Sequence, residues 1–252
     1  MSDMLREELV FGPIVSRRLG SSLGINVLPA HGKICNFDCI YCECGLNADG
    51  RGDVSLPSAS QLERTLEGYM ARLVAEGTRV DSVTFSGDGE PTLNPEFPRM
   101  VEIAVGARDR FLPGAKVSVL TNGTRLGCPE ILAALKKVDN PIIKLDAVSD
   151  TMARRINAPQ CDYHVDAQVD AMKAFGGDFV LQTMLLKGPL FDSQDMMAGW
   201  KEIVRTLHPR EIQLYTIARP VPVAGLEKYS ADRMRSMVQD LLDEGFNIKI
   251  YE

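Results

Sequence analysis

Short apolar runs rich in β-branched residues alternate along this chain with segments whose apolar positions recur every three or four residues. The runs GINVLPA (24–30), SVTFSG (82–87), KVSVLTNG (116–123), IIKLDA (142–147), FVLQTMLL (179–186), IQLYTIA (212–218) and the closing NIKIYE (247–252) read as strands. Their centres are almost continuously apolar, the pattern of parallel strands covered by helices on at least one face. The clearest amphipathic stretch is 59–76, where Leu62, Leu66, Tyr69, Met70 and Leu73 fall at helical spacing. Ser58 with Gln61 predicts a capping box at its start, and Gly77 a stop. Further helices are predicted over 95–108, 129–137, 164–175, 194–207 and 230–243.

Six strand–helix alternations without a break in composition predict an α/β fold in one domain over residues 1–252, with a core of about 20–220. A short C-terminal helix–strand extension of about 221–252 completes it. Repeated right-handed strand–helix units of mostly parallel strands predict a partial (β/α)6 TIM-like barrel, with functional loops at the strands' C-terminal ends. The longest irregular pieces are 43–57 and 219–229. A length of 252 residues with 45% hydrophobic and 25% charged positions suits such a domain. The net charge of −6 does not favour a nucleic-acid carrier surface, although it leaves room for a local basic patch and a nucleic-acid partner. No apolar run approaches the ~18 residues of a membrane span, and MSDMLREELVFGP is too charged for a secretory signal. A cytoplasmic chain with no membrane partner is the expectation.

The chemistry is concentrated in GKICNFDCIYCECG (32–45), where Cys35, Cys39 and Cys42 have the spacing C-x3-C-x2-C and Cys44 follows. In a reducing compartment clustered thiols point to a metal or to redox work and not to disulfides. A structural zinc site wants four protein ligands, and only His31 and Cys44 stand near enough in sequence to complete one. A [4Fe–4S] cluster normally takes four thiolates. Three would leave one iron open to an external molecule.

C-x3-C-x2-C on the loop after a first strand, with Tyr41 just before the third cysteine, resembles the signature of the radical S-adenosylmethionine (radical SAM) superfamily. The resemblance implies that Cys35, Cys39 and Cys42 hold a [4Fe–4S] cluster whose open iron is chelated by S-adenosylmethionine. It also implies reductive cleavage to a 5′-deoxyadenosyl radical, which abstracts hydrogen from unactivated carbon, a task for cofactors and not side chains. TFSGDGEPTLNP resembles the family's G-G-E-P element, with Asp88 where the first glycine usually stands. There Gly87 and Gly89 permit tight turning and close approach to a ligand, and Glu90 with the backbone around it would contact the methionyl ammonium.

At the other strand ends, Ser118 and Asn122 are expected to meet ribose or carboxylate, although Asn122-Gly123 also reads as a turn. Lys144 and Asp146 share one strand face, as an ion pair or as ligand contacts. Arg155, of the Arg154–Arg155 pair, is implied for the methionyl carboxylate. Gln213, Tyr215 and Arg219 would line the substrate end, Tyr215 reading equally as core. Cys128 and Cys161 read as small buried hydrophobes or as auxiliary-cluster thiols, with Cys44 open.

S-R-R-L-G-x-S-L-G before the cluster, together with SGDGEPTL and QLYTIARP, resembles the branch grouped with the tRNA wybutosine-synthesising enzymes. The tRNA-modifying members carry cysteines ahead of the motif for a second cluster, and this chain has none before Cys35. The implied substrate is an unidentified organic small molecule or nucleoside, and the implied electron donor a flavodoxin or ferredoxin. Two other readings are an activating enzyme that makes a glycyl radical on a partner protein, and a non-catalytic iron–sulfur or zinc module.

Overall fold

The computed structural model describes residues 8–49, 52–188 and 191–252. Residues 1–7 of the N-terminal stretch and 50–51 of the irregular segment 43–57 lie outside the described residues. Two compact units make up the chain. One comprises the described residues up to Cys35 with Asn47–Thr121 and Arg125–Pro141; the other comprises Asn36–Leu46, Asn122–Thr124 and Ile142–Glu252.

The first unit holds β1 (Val10–Ser16), β2 (Gly20–Ile25), α1 (Ala59–Ala75), β3 (Ser82–Phe85), α2 (Phe97–Phe111), β4 (Lys116–Thr121) and α3 (Pro129–Leu135). β1 and β2 form an antiparallel pair. β2, β3 and β4 run parallel, with Ile25 beside Phe85 and Phe85 beside Val119. Helix α1 forms as its pattern predicts. Ser58 accepts from Gln61 N at 3.2 Å while Gln61 Oε1 accepts from Ser58 N at 2.8 Å, satisfying two otherwise orphaned donors. Leu62, Leu66 and Met70 are completely buried. Tyr69 is only half-buried and donates its hydroxyl to Gly12 O at 2.5 Å.

The second unit begins within β5 (Asn140–Lys144) and continues through α4 (Asp150–Ile156), α5 (Val165–Met172), β6 (Val180–Met184), β7 (Leu186–Gly188), β8 (Phe191–Asp192) and α6 (Met197–Leu207). It ends with β9 (Glu211–Tyr215), β10 (Glu227–Lys228), α7 (Ala231–Met237), α8 (Gln239–Asp243) and β11 (Ile248–Tyr251). β5, β6, β9 and β11 pair in parallel. Trp200 on α6 is buried, with its indole N–H on Thr183 Oγ1 at 3.0 Å. The strand order of the eight-stranded sheet is β1-β2-β3-β4-β5-β6-β9-β11, and β10-β7-β8 form a small second sheet. This is an α/β fold of the partial TIM-like barrel class with mostly parallel strands. No helix of the described residues is long and apolar enough to cross a membrane.

The differences from the sequence reading have local causes. The strand expected over 24–30 lies at Gly20–Ile25 instead. Past Ile25 the Asn26 side chain accepts from Leu28 N and from Asp88 N, which ends the ladder although Val27 and Leu28 stay buried. The run 179–186 is two strands, because Leu186 N turns to Ser193 Oγ at 3.0 Å. Helix 230–243 is broken at Val238, whose φ of −124° is not helical. The seven-residue α4 carries too little periodicity to be legible. Its stop is set by Asn157, then Ala158 in the left-handed region at φ +40°, then Pro159.

Candidate functional site

In the first unit, the segment after β3 is held by the chain that leads into the cysteines. Ile34 N donates to Asp88 O at 3.1 Å and Glu90 N to Ile34 O at 3.0 Å, a parallel bridge centred on Gly89. Gly89 has φ +139°, and a Cβ built there would stand 1.9 Å from Ile34 O. A Cβ on Gly87 would stand 2.0 Å from Asn26 Oδ1. The close approach that these glycines permit is therefore to the protein's own Ile34 and Asn26. Gly89→Ala is expected to cost on the order of 1–3 kcal/mol through backbone strain, read as a lower urea midpoint with an unchanged m-value.

Asp88 and Glu90 are both buried, at 1% and 2% exposure. Asp88 accepts from Asn26 Nδ2 at 3.3 Å. Glu90 Oε1 accepts from Thr92 N at 3.1 Å, Thr92 Oγ1 at 2.6 Å and, from the end of β4, Thr121 Oγ1 at 2.7 Å. Three donors on one carboxylate oxygen fix the acid at the end of its strand. Ser118 behaves differently from the strand-end residues. It is completely buried, with its hydroxyl 2.8 Å from Ser82 Oγ and accepting from Asn140 Nδ2 at 3.0 Å. Cys35 O accepts from Asn47 Nδ2 at 3.1 Å.

The rest of the cysteine loop lies in the second unit, laid against the end of α4. Asp38 N donates to Asn157 O at 2.8 Å, Ile40 N to Ile156 O at 3.0 Å, and Gln160 N to Asn36 O at 2.8 Å. Phe37 is buried edge-to-face on Tyr163. Cys42 N donates to Cys39 O at 3.0 Å and Gly45 N to Cys42 O at 3.1 Å, two successive turns that carry the chain past the third cysteine. Asn36 ties this loop to Asn122. Asn122 Nδ2 donates to Asn36 Oδ1 at 2.8 Å and Asn36 Nδ2 to Thr124 Oγ1 at 2.7 Å. Asn122 Oδ1 accepts from Thr124 N at 3.0 Å, so the turn reading of Asn122-Gly123 is realised as well.

Tyr41, Lys144, Asp146, Asn157 and Tyr215 form one polar network. Tyr41 donates its hydroxyl to Asp146 Oδ2, and Asn157 Nδ2 donates to the same oxygen at 2.8 Å. Asp146 Oδ1 accepts from Met184 N at 2.9 Å. Lys144 Nζ stands 3.6 Å from Asp146 Oδ2, and donates to Tyr41 at 3.1 Å and Tyr215 at 2.6 Å. The ion-pair reading of Lys144 and Asp146 is thus realised. Burial opposes the Lys144 charge, but Asp146, Tyr215 and Cys39 outweigh it and hold the ammonium's pKa above its ordinary value. Burial, then Asp146, pushes the Tyr41 phenol well up. Burial raises the Cys39 thiol to about 11, with Lys144 pulling the other way.

Arg155 is not brought to this network. It is exposed on α4 and lines a separate pocket of about 180 Å³ with Ser149, Thr151, Asp192 and Asp195. Arg219 pairs with Glu43 at 2.9 Å, just beyond the third cysteine. Cys161 is exposed and Cys128 half-buried, which corrects the expectation that both are buried hydrophobes. The sequence reading passed over Asn157 and Asn36. The helix-stop pattern Asn157-Ala158-Pro159 would have marked the first as a turn, though not as a partner of the cysteine loop.

Residues 30–198 match the family model of the radical SAM superfamily. The chain belongs to this superfamily of enzymes, and membership implies S-adenosylmethionine and an iron–sulfur cluster. Among curated proteins it is similar to the UPF0026 protein MJ1312 of Methanocaldococcus jannaschii, 30% identical over 217 residues that make up 84% of this chain and 64% of that protein. It thus spans just under two thirds of that relative's length. Among solved structures it is similar to Streptococcus suis SuiB bound to S-adenosylmethionine, with TM-score 0.64 and 16% identity over 90% of this chain and 50% of that one. It is also similar to TYW1 with a lysine-pyruvate adduct bound, with TM-score 0.62 and 18% identity over 91% of this chain and 76% of that one. At these identities the likeness is one of fold.

Among the described residues, no three His, Cys, Asp or Glu side chains are already gathered to hold a metal ion. The donor chemistry nevertheless suits the implied cluster. Thiolates are the ligands that iron–sulfur clusters take, and a buried amide N–H addresses one of the three thiols on this loop, with Asn157 Nδ2 3.3 Å from Cys39 Sγ. Loading such a site requires the thiols to give up their protons.

Proposed function

We propose that the chain uses Cys35, Cys39 and Cys42 to hold a [4Fe–4S] cluster and works as one radical SAM domain. When bound, the cluster would supply the one electron that splits S-adenosylmethionine into methionine and a 5′-deoxyadenosyl radical, and the radical would take hydrogen from an organic small molecule or nucleoside. The observation that carries this reading is the C-x3-C-x2-C loop within the stretch that matches the superfamily.

Each residue has a defined task. Glu90, fixed by Thr92 and Thr121, offers its carboxylate to the methionyl ammonium beside the backbone of Gly87, Asp88 and Gly89. Asn122, fixed to Asn36 of the cysteine loop, offers polar contacts to the rest of the cosubstrate. Tyr41 anchors the cysteine loop to Asp146, its hydroxyl lying inside the network. Arg155 lines a pocket with Asp192 and Asp195, the place from which its implied contact with the methionyl carboxylate would be made. The electron comes from a flavodoxin- or ferredoxin-type donor in a reducing, cytoplasmic setting.

The test is anaerobic reconstitution followed by iron and sulfide counts. About four of each per chain are expected for one cube, and dithionite with S-adenosylmethionine should then release 5′-deoxyadenosine. Zinc without sulfide would sink the reading.

A further inference from the structure

Asn157 caps α4 and is 2% exposed, yet its side chain serves neither the helix nor solvent. Its Nδ2 is 2.8 Å from Asp146 Oδ2, 3.3 Å from Cys39 Sγ and 3.3 Å from the Tyr41 hydroxyl. Asp146 decides which way round the amide sits. A carboxylate only accepts hydrogen bonds, so turning Oδ1 toward it would set two acceptors against each other in a buried place. Asp146 is itself held from two sides, by Met184 N on one oxygen and by Tyr41 on the other. One amide N–H is therefore fixed on the carboxylate, and the second is left to the Cys39 sulfur and the Tyr41 oxygen, both 3.3 Å away. The backbone of Asn157 supports the same contact, because its carbonyl accepts from Asp38 N, one residue before Cys39.

We propose that Asn157, oriented by Asp146, is the residue that tunes the Cys39 ligand of the cluster, through an N–H···S bond to the thiolate that raises the cluster's reduction potential. The inference rests on Cys39 being a cluster ligand. The physical ground is general. The reduced cluster carries one more negative charge, so a donor on a ligand sulfur stabilises it more than the oxidised form. Partners that orient a metal ligand in this way tune the metal, and losing one typically costs about 10–100-fold in affinity or activity. The reaction depends on a reducing cluster, so this bond sets how strongly reducing an electron donor must be.

The experiment is a potentiometric titration of the reconstituted full chain, followed by electron paramagnetic resonance without S-adenosylmethionine, in wild type and Asn157→Leu. Leucine keeps the volume and removes the donor. The variant is expected to carry the same iron and sulfide but to show a reduced-to-oxidised ratio about tenfold lower at a given potential. For a one-electron couple that is a midpoint about 59 mV more negative. An unchanged midpoint at full iron and sulfide load overturns the proposal.

If the leucine variant fails to load, wild-type protein labelled with 15N at the asparagine side-chain amide decides the matter. A 15N coupling to the reduced cluster in pulsed resonance is expected to persist when Asn36 and Asn47 are each replaced by alanine, and its absence overturns the proposal. Wild type that takes up no iron and sulfide would instead refute the cluster reading itself, a result distinct from either.

Discussion

Serine at Cys39 is expected to leave a folded chain that, after anaerobic reconstitution, holds too little iron and sulfide for one cube and forms 5′-deoxyadenosine only at background. The substitution is sterically mild, because oxygen is smaller than sulfur and the site is nearly closed, at 9% exposure. The loop around it is held by bonds that do not involve the sulfur: Asp38 N and Ile40 N on the end of α4, and Tyr41 on Asp146. Circular dichroism and the urea midpoint should therefore stay close to wild type. What changes is the donor, from a soft thiolate to a hard hydroxyl that iron–sulfur clusters rarely accept. A Cys39→Ser chain that keeps full iron, sulfide and 5′-deoxyadenosine formation would remove Cys39 from the ligand set.

Alanine at Asp146 is expected to destabilise the chain by about 3–5 kcal/mol, the range for removing one partner of a buried ion pair. The Asp146 side chain is fully buried and that of Lys144 is 18% exposed, so solvent cannot replace the lost carboxylate well. The loss also leaves Met184 N, the Tyr41 hydroxyl and Asn157 Nδ2 without their common acceptor. Urea unfolding measures it. Adding Lys144→Met should recover part of the loss, because the buried cation that has lost its partner is removed with it. A cost below about 1 kcal/mol would mean that the pair behaves as a surface ion pair, contrary to its burial.

How far the site was legible depended on whether a residue's role was written in local spacing. The three cysteines and the SGDGEPTL segment stood out because their meaning lies in separations of two to four residues along the chain. Lys144 and Asp146 stood out because two charges on one face of an apolar strand demand a partner, and each proved to be the other's. Asn157 did not stand out. It lies 118 residues from Cys39, and nothing in Arg-Arg-Ile-Asn-Ala-Pro indicates where the amide will point. The bond between Ser118 and Ser82 was not legible for the related reason that a small polar residue in a strand reads the same whether it faces a ligand or another hydroxyl. The place of Arg155 beside Asp192 and Asp195 was not legible, because a helix too short to show periodicity hides which of two adjacent arginines faces what.

By itself the amino-acid order determined the alternation of strands and helices, the α/β class, the capping of α1 and the chemistry of a three-thiol loop. Each of these rests on neighbours a few residues apart, where side-chain period, turn preference and ligand spacing act directly. Only the tertiary structure decided that β1 and β2 pair as a hairpin and that Gly89 is needed for Ile34. It alone decided that Tyr41, Asp146 and Asn157 converge on the cysteine loop. These depend on burial of polar groups from distant segments. Their cost in a low-dielectric interior is met only by partners that folding itself brings into reach.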